Sequence, residues 1–148
     1  GGRNTSLDML DIHILEPSSW TWHKVEHPHP PPLSRICFHS AVAVNRKILL
    51  VNGTRDGTKH TSNVYVYDTE TNEVATLFDS DQDTSPEALE PRFGQVTFFQ
   101  GSKLLLFGGA TTSSYLGDMW EMETPFKETS SHTEEQIRRL WDLPLGAF

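Results

Sequence analysis

Three clusters of side chains in this 148-residue sequence have the composition of a chemical site. The first is the acidic stretch Asp79-Ser80-Asp81-Gln82-Asp83-Thr84, continuing through Glu87 and Glu90. It sets carboxylates at the first, third, fifth, ninth and twelfth places of a calcium-binding loop. Such a loop needs glycine at its sixth place to bend, and a helix on either side. Thr84 holds that place and Pro86 follows, while Val74-Ala75-Thr76-Leu77 and the residues from Phe93 onward read as strands. The expectation is a solvated loop joining sheet elements, with loose cation binding as the lesser reading and an EF-hand as the least supported one.

The second cluster is His23, His27 and His29, with Glu26 between them and Pro30-Pro31-Pro32 behind. Imidazoles at this spacing bind zinc where a loop curls around the ion. A proline run instead holds the chain extended and keeps neighbouring side chains apart, so no metal is expected here. The third is Cys37, His39 and Ser40. Ser40 beside His39 would lie on a strand with its side chain on the opposite face, which denies it a base. There is no nucleophile elbow and no glycine-rich phosphate loop. The sequence therefore predicts no catalytic residues, no cofactor and no metal.

The elements that would position these groups repeat along the chain. The apolar run Lys103-Leu104-Leu105-Leu106-Phe107 ends in Gly108-Gly109, Lys47-Ile48-Leu49-Leu50-Val51 ends in Asn52-Gly53, and the chain opens on Gly1-Gly2. The intervals are 51 and 56 residues, the period of a unit built from strands rather than from a helical pair. About ten residues after each pair comes a short alternating strand, Asp11 to Glu16, Asn63 to Asp68 and Asp118 to Glu123. Asp11, Asn63 and Asp118 share one register, and Glu16, Asp68 and Glu123 another. Ahead of the second and third pairs lie His39 to Val44 and Gln95 to Gln100. Asn45-Arg46 and Gly101-Ser102 join these to the following strand, and two-residue connections of that composition read as hairpins.

These residues resemble the kelch repeat, whose pattern is an apolar strand ending in two glycines, a Tyr-Asp strand end, and a Trp seven positions after the Tyr. Gly1, Gly2, Gly108 and Gly109 match the glycine pairs, Tyr67-Asp68 the strand end, and Trp22, seven after Leu15, the aromatic. Asn52 stands for the first glycine of the middle pair beside Gly53, and Val74 and Thr129 stand where the later copies would have Trp. The resemblance covers residues 1 to 126. It implies an all-β fold of kelch-type β-propeller blades, about two to three four-stranded antiparallel sheets forming an incomplete ring. Blades pack on both faces, which explains the continuous apolar runs Ile48 to Val51 and Leu104 to Phe107. Trp22, Tyr65, Tyr67, Phe98, Phe99 and Trp120 are expected to wedge between blades, and Leu50, Val51, Leu105 and Phe107 to lie on an open blade face.

The units are expected at 1–34, the end of a first blade with its proline-rich loop, at 35–91, a complete blade carrying the acidic loop, and at 92–126, a partial third blade. Residues 127–148 form a linker and a short amphipathic C-terminal helix, in which Thr133 and Gln136 make a capping box and Ile137, Leu140 and Trp141 share a face before Pro144. A ring cannot close from so few blades, so the remaining blades are expected from a longer parent chain.

Composition narrows the partner class. Twelve basic residues against twenty acidic give a net charge of −8, which opposes contact with phosphates, so nucleic acid is not an expected partner. No apolar run approaches the roughly eighteen residues of a membrane helix. A single cysteine suits a reducing compartment, cytoplasmic or nuclear. Against it stand two glycosylation-type triplets, Asn4-Thr5-Ser6 and Asn52-Gly53-Thr54.

The resemblance implies a protein-interaction module, for example a ubiquitin-ligase adaptor or a scaffold. The alternative is a fragment of a kelch-like enzyme such as a galactose-oxidase-like copper oxidase, which would require Tyr, Cys and His ligands to converge. In a four-stranded meander the connections at 3–8, 54–62 and 110–116 emerge on the same face as 26–34 and 79–91. The partner-binding residues expected on that rim are Arg3, Arg55, Asp56, Lys59, His60, Thr111, Ser114 and Tyr115.

Overall fold

The computed structural model describes residues 2–3, 8–9, 11–26, 36–55, 58–85 and 88–129. Gly1, His27, His29, Asp56, Glu87 and the expected C-terminal helix lie outside them. Among the described residues there are twelve strands and no helix: β1 (Gly2–Arg3), β2 (Asp8–Met9), β3 (His13–Glu16), β4 (Thr21–Lys24), β5 (Ile36–Cys37), β6 (Ser40–Val44), β7 (Lys47–Arg55), β8 (Lys59–Asp68), β9 (Glu73–Phe78), β10 (Val96–Gln100), β11 (Lys103–Phe107) and β12 (Met119–Glu123). All pairings between them are antiparallel.

Both expected hairpins form. Val44 pairs with Lys47 and Gln100 with Lys103, which leaves Asn45-Arg46 and Gly101-Ser102 as two-residue turns. Asn45 at φ 53° and Gly101 at φ 67° supply the left-handed backbone that such turns need. The strands assemble into two main sheets, β5 and β6 lying along β7, then β8 and β9, and beside it β10-β11-β12, with the ribbons β1-β2 and β3-β4 ahead of them.

The glycine-pair positions have the same geometry in both main sheets. Asn52 and Gly108 sit at φ 55° and 65°, and Gly53 and Gly109 at φ 109° and 98°. Asn is among the few side chains tolerated in the left-handed region, which accounts for its substitution for glycine. At the second position no side chain fits. A Cβ on Gly53 would stand 2.7 Å from the Cys37 carbonyl oxygen, and one on Gly109 2.9 Å from that of Phe93. The 56-residue repeat is thus visible in space, because Cys37 and Phe93 are themselves 56 apart. Asn52 is the extra residue of a register shift between Val51 and Gly53, and on the partner side of β7 it falls where β5 gives way to β6.

The core lies between the two main sheets. Val44, Leu49, Val51, Val64 and Val66 of the five-stranded sheet pack on Leu104 and Leu106 of its neighbour, with Phe99, Trp120, Met122 and Phe126 against them. Each fully buried aliphatic side chain of this kind stabilises the fold by about 1.5–3 kcal/mol. The opposite face of the five-stranded sheet is apolar too, where Ile36 and Tyr65 gather Leu50 and Val74. A sheet buried on both faces requires the uninterrupted run Ile48 to Val51.

Several expectations need correction. Trp22 is 63% exposed rather than wedged between blades, because β3 and β4 form a two-stranded ribbon with no further described sheet over its outer side. Phe98 is exposed on the outer face of β10-β11-β12, whereas Tyr65 and Tyr67 are buried as expected. Val51 is not on an open face: it is 1% exposed, since it points with Leu49 towards the neighbouring sheet. The segment 54–62 is not a loop throughout, because β7 and β8 continue as a hairpin past the bulge, pairing Thr54 with His60 and Arg55 with Lys59. Asn52 itself is 1% exposed, so its glycosylation-type triplet is closed to a glycan in the folded chain.

Two predictions follow from this packing. Gly109→Ala and Gly53→Ala should each cost roughly 2–4 kcal/mol in urea unfolding, from left-handed strain plus collision with a backbone carbonyl, while Gly117→Ala, whose Cβ would meet nothing, should be near neutral. The outer face of the sheet β10-β11-β12 exposes Val96, Phe98, Phe107 and Met119. The isolated 148-residue chain should therefore self-associate with concentration in sedimentation runs, and Phe107→Glu should shift it towards monomer. A monodisperse wild-type monomer would contradict that reading.

Candidate partner-binding rim

The expected rim residues come from three separate places in the chain, and side-chain contacts hold two of their connections together. Arg55 ends β7, Lys59 and His60 begin β8, and Thr111, Ser114 and Tyr115 belong to the connection between β11 and β12. His60 ties the two connections. Its Nδ1 shares a hydrogen bond with Thr54 Oγ1 at 3.2 Å and its Nε2 with Thr112 Oγ1 at 2.9 Å, and its ring lies 4.8 Å from that of Phe93. Phe93 in turn meets Phe38 at 5.9 Å, so an aromatic row underlies the histidine.

The second connection is held in one conformation by its own hydroxyls. Thr111 Oγ1 accepts the backbone N–H groups of Ser113 and Ser114, and the Thr111 N–H bonds the Ser114 carbonyl. Ala110 bridges to Tyr115, and the Leu116 N–H returns to the Gly109 carbonyl. The outcome is a tight loop that presents Tyr115 with 96% of its surface exposed. A large aromatic held out on a fixed loop is a common anchor in protein interfaces.

The acidic stretch reaches the same rim. Asp81 lies 3.2 Å from Lys59 Nζ and 3.8 Å from Arg55 Nη2. Asp79 and Asp83 each accept a backbone N–H two residues on, from Asp81 and Ser85, as turn-forming aspartates do. Among the described residues no three His, Cys, Asp or Glu side chains stand close enough to share an ion. Arg3 is in β1, whose partner strand β2 and itself both pack on β5. Asp56 lies outside the described residues.

Beneath the rim is a buried charge that sequence reasoning overlooked. Arg92 is 1% exposed and its guanidinium donates to both carboxylate oxygens of Asp118, at 2.6 and 3.0 Å, and to the Gly108 carbonyl at 3.1 Å. Its own carbonyl accepts the Gly53 N–H at 3.0 Å. One residue thus joins the glycine turn of one sheet to that of the next. The hydrogen bonds from Arg92 hold the Asp118 carboxyl down to about 2, helped by the Trp120 indole N–H. The available signal was the recurring polar register of Asp11, Asn63 and Asp118, each of which turns out to have a different partner. Asp11 meets His13, and Asn63 receives Ser80 and donates to Tyr65.

His39 has another setting. Burial lowers its pKa, its Nδ1 lies buried without a hydrogen-bond partner, and it lines a cavity of about 310 Å³ with Asp11, His13, Ile48, Leu50 and Tyr67. Cys37 is buried at the end of β5. Among the described residues neither has a nucleophile, a base and an orienting group gathered around it.

Comparison with known proteins adds an independent line. Residues 1–136 match the KLHDC2/KLHL20/DRC7 Kelch-repeats domain. The Rab9 effector protein with kelch motifs from Bos taurus is 27% identical over 119 residues, covering 80% of this chain and 31% of that protein. Its Homo sapiens counterpart is 27% identical over 121 residues, with the same coverage. Acyl-CoA-binding domain-containing protein 4 of Arabidopsis thaliana is 29% identical over 129 residues, covering 80% of this chain and 19% of that protein. The chain spans less than a third of the length of these relatives.

The Arg92 to Asp118 pair makes a pH-dependent prediction. Because the folded carboxyl titrates below its ordinary value of 3.8, its contribution is complete above that pH and is lost as the pH falls towards about 2. Asp118→Asn should flatten stability across that acid window. At neutral pH it should cost about 2–3 kcal/mol, less than for a fully enclosed pair because Asp118 is 42% exposed. Urea titrations from pH 2 to 7 measure both.

Proposed function

The chain belongs to the kelch-repeat family, and from that premise we propose that it recognises another protein through the loops at the Arg55, His60 and Tyr115 rim, within a longer parent protein that acts as an adaptor or scaffold. In this reading residues 35–91 are one complete blade and 92–126 a partial one. The observation that carries it is the pairing of a fixed, fully solvated Tyr115 with the hydrogen-bonded bridge from His60 to Thr112, which together make a rigid platform of polar groups around an aromatic anchor. The relatives named effector proteins with kelch motifs support the same kind of role. Among the described residues Cys37 is buried and His39 half-buried, while His60 and Asp118 are held in hydrogen bonds, which supports a contribution by binding rather than by chemistry. The lone buried thiol of Cys37 supports placement in a reducing compartment, with the cytoplasm preferred to the nucleus and to secretion.

Paired affinity captures test this. With the longer parent chain as bait, Arg55→Glu combined with Tyr115→Ala should reduce recovery of the principal protein partner at least about tenfold, corresponding to roughly 1.4 kcal/mol or more. Glu70→Lys, in the β8 to β9 turn, serves as the control and should leave recovery intact. Equal recovery by the double variant would place the binding surface elsewhere.

A further inference from the structure

Of the five asparagines in the sequence only Asn52 is followed by glycine. That pair has a chemistry of its own. The backbone nitrogen after an asparagine can attack the side-chain amide carbon, and glycine, with no side chain to obstruct the approach, allows it most readily. Here the Gly53 nitrogen would give its proton to water and bond to Asn52 Cγ, the Cγ–Nδ2 bond would break, and Nδ2 would take up a proton and leave as ammonia. Water then opens the succinimide ring at either carbonyl, giving aspartate or isoaspartate. The net change exchanges NH for O.

The fold holds that chemistry shut from two sides. The Gly53 N–H, whose proton must leave first, is donated to the Arg92 carbonyl at 3.0 Å. Asn52 is 1% exposed, so the water that takes the proton and opens the ring has no approach. Hydrogen bonds to the amide itself play no part, because Asn52 Nδ2 and Oδ1 are both buried and neither has a partner among the described residues. Such an amide costs stability rather than adding to it. The turn does not require it either, since Gly108 fills the equivalent place at φ 65° against 55° for Asn52. Restraint therefore falls to the Arg92 contact, and Arg92 is fixed in turn by both carboxylate oxygens of Asp118 and by the Gly108 carbonyl. The reactive pair is thus as secure as the link between the two sheets.

We propose that Asn52 is a fold-gated deamidation site, shut while Arg92 holds the Gly53 turn, reactive when that contact opens, and one-way once a carboxylate has formed. A charge at this position would be taken out of water where even the present amide finds no hydrogen bond. Isoaspartate would also add a main-chain carbon to β7 between the pairs Val51 to Val64 and Gly53 to Thr61. A converted chain does not return to this packing. Thr54, which bonds His60, lies two residues on, so the rim is lost with the turn. The inference stands apart from the partner-binding reading and holds whether or not the rim recognises a protein.

The test follows the whole 148-residue chain in mildly alkaline buffer, native and in urea, by mass spectrometry of the peptide that carries Asn52. The exchange of NH for O should accumulate at least about tenfold more slowly in the native chain. Equal rates would overturn the proposal. Hydrogen exchange at the Gly53 amide of the wild-type chain reports the same contact without any substitution. Its rate and the deamidation rate should rise together across urea concentrations below the unfolding transition, and deamidation that stays constant while exchange rises would overturn the gating. Asp118→Asn, which takes the counter-charge from Arg92, should speed native deamidation about threefold or more while leaving the rate in urea unchanged. An unchanged native rate in that variant would count equally against the Arg92 contact as the gate. Asn52→Asp should lower the urea midpoint further than Asn52→Gly, which keeps the left-handed turn as Gly108 does. Equal midpoints for these two variants would overturn the one-way step.

Discussion

The stacking of the sheets depends on two backbone positions that cannot carry a side chain. At Gly53 and Gly109 the backbone takes a positive φ directly against the segment that enters the same sheet, which comes within 3 Å of where a Cβ would be. Because Cys37 and Phe93 take equivalent places against these two glycines, the entering segments are fixed at the same height in both sheets. The inner strands β6 and β10 can then pack side by side. The buried arginine uses this geometry. Arg92 follows the acidic stretch, gives its carbonyl to the glycine turn of one sheet and its guanidinium to that of the next, and so couples them through a charge that is nearly fully enclosed. Removing the carboxylate would leave the Arg92 charge enclosed without its counter-ion, which costs more than the pair itself contributes.

The rim is a consequence of that coupling. Both connections that meet at His60 begin at the glycine turns, one after Gly53 and the other after Gly109. Fixing the turns therefore fixes where the loops emerge. His60 bridges hydroxyls from both sides and rests on Phe93, a residue of the segment that Arg92 anchors. Loop positions are set by a rigid scaffold beneath them, the usual condition under which variable loops carry recognition.

Much of the fold was legible because a repeat states its constraints more than once. The hairpins at Asn45-Arg46 and Gly101-Ser102, the glycine-pair geometry and the two-faced apolar runs could each be checked against another copy. What remained hidden was not repeated. Arg92 pairs with Asp118, but the equivalent Asn63 solves its position with Ser80 and Tyr65, so no common partner could be read from the register. The extension of β7 and β8 past residue 54 was missed because polar residues such as Thr54, Thr61 and Ser62 read as loop, although all three are buried. Trp22 satisfies the repeat pattern yet is exposed, since a motif records where a residue points and not what stands opposite it.

The contrast between Thr69 and Thr124 shows how little sequence is needed to send two matching segments along different paths. Up to these residues the two sheets follow one path, and both threonines make the same pair of hydrogen bonds to the turn beside them. Glu70 follows in one copy, its N–H accepted by Asp68, and opens a turn that returns the chain as β9. Pro125 in the other copy has no N–H to give, so the same turn cannot close on Glu123. Phe126 then turns into the core, and Asn45, already in its left-handed turn, is free to accept and donate to the passing backbone. An exposed asparagine that serves one sheet as a hairpin residue thereby becomes the point where the next sheet is tied down.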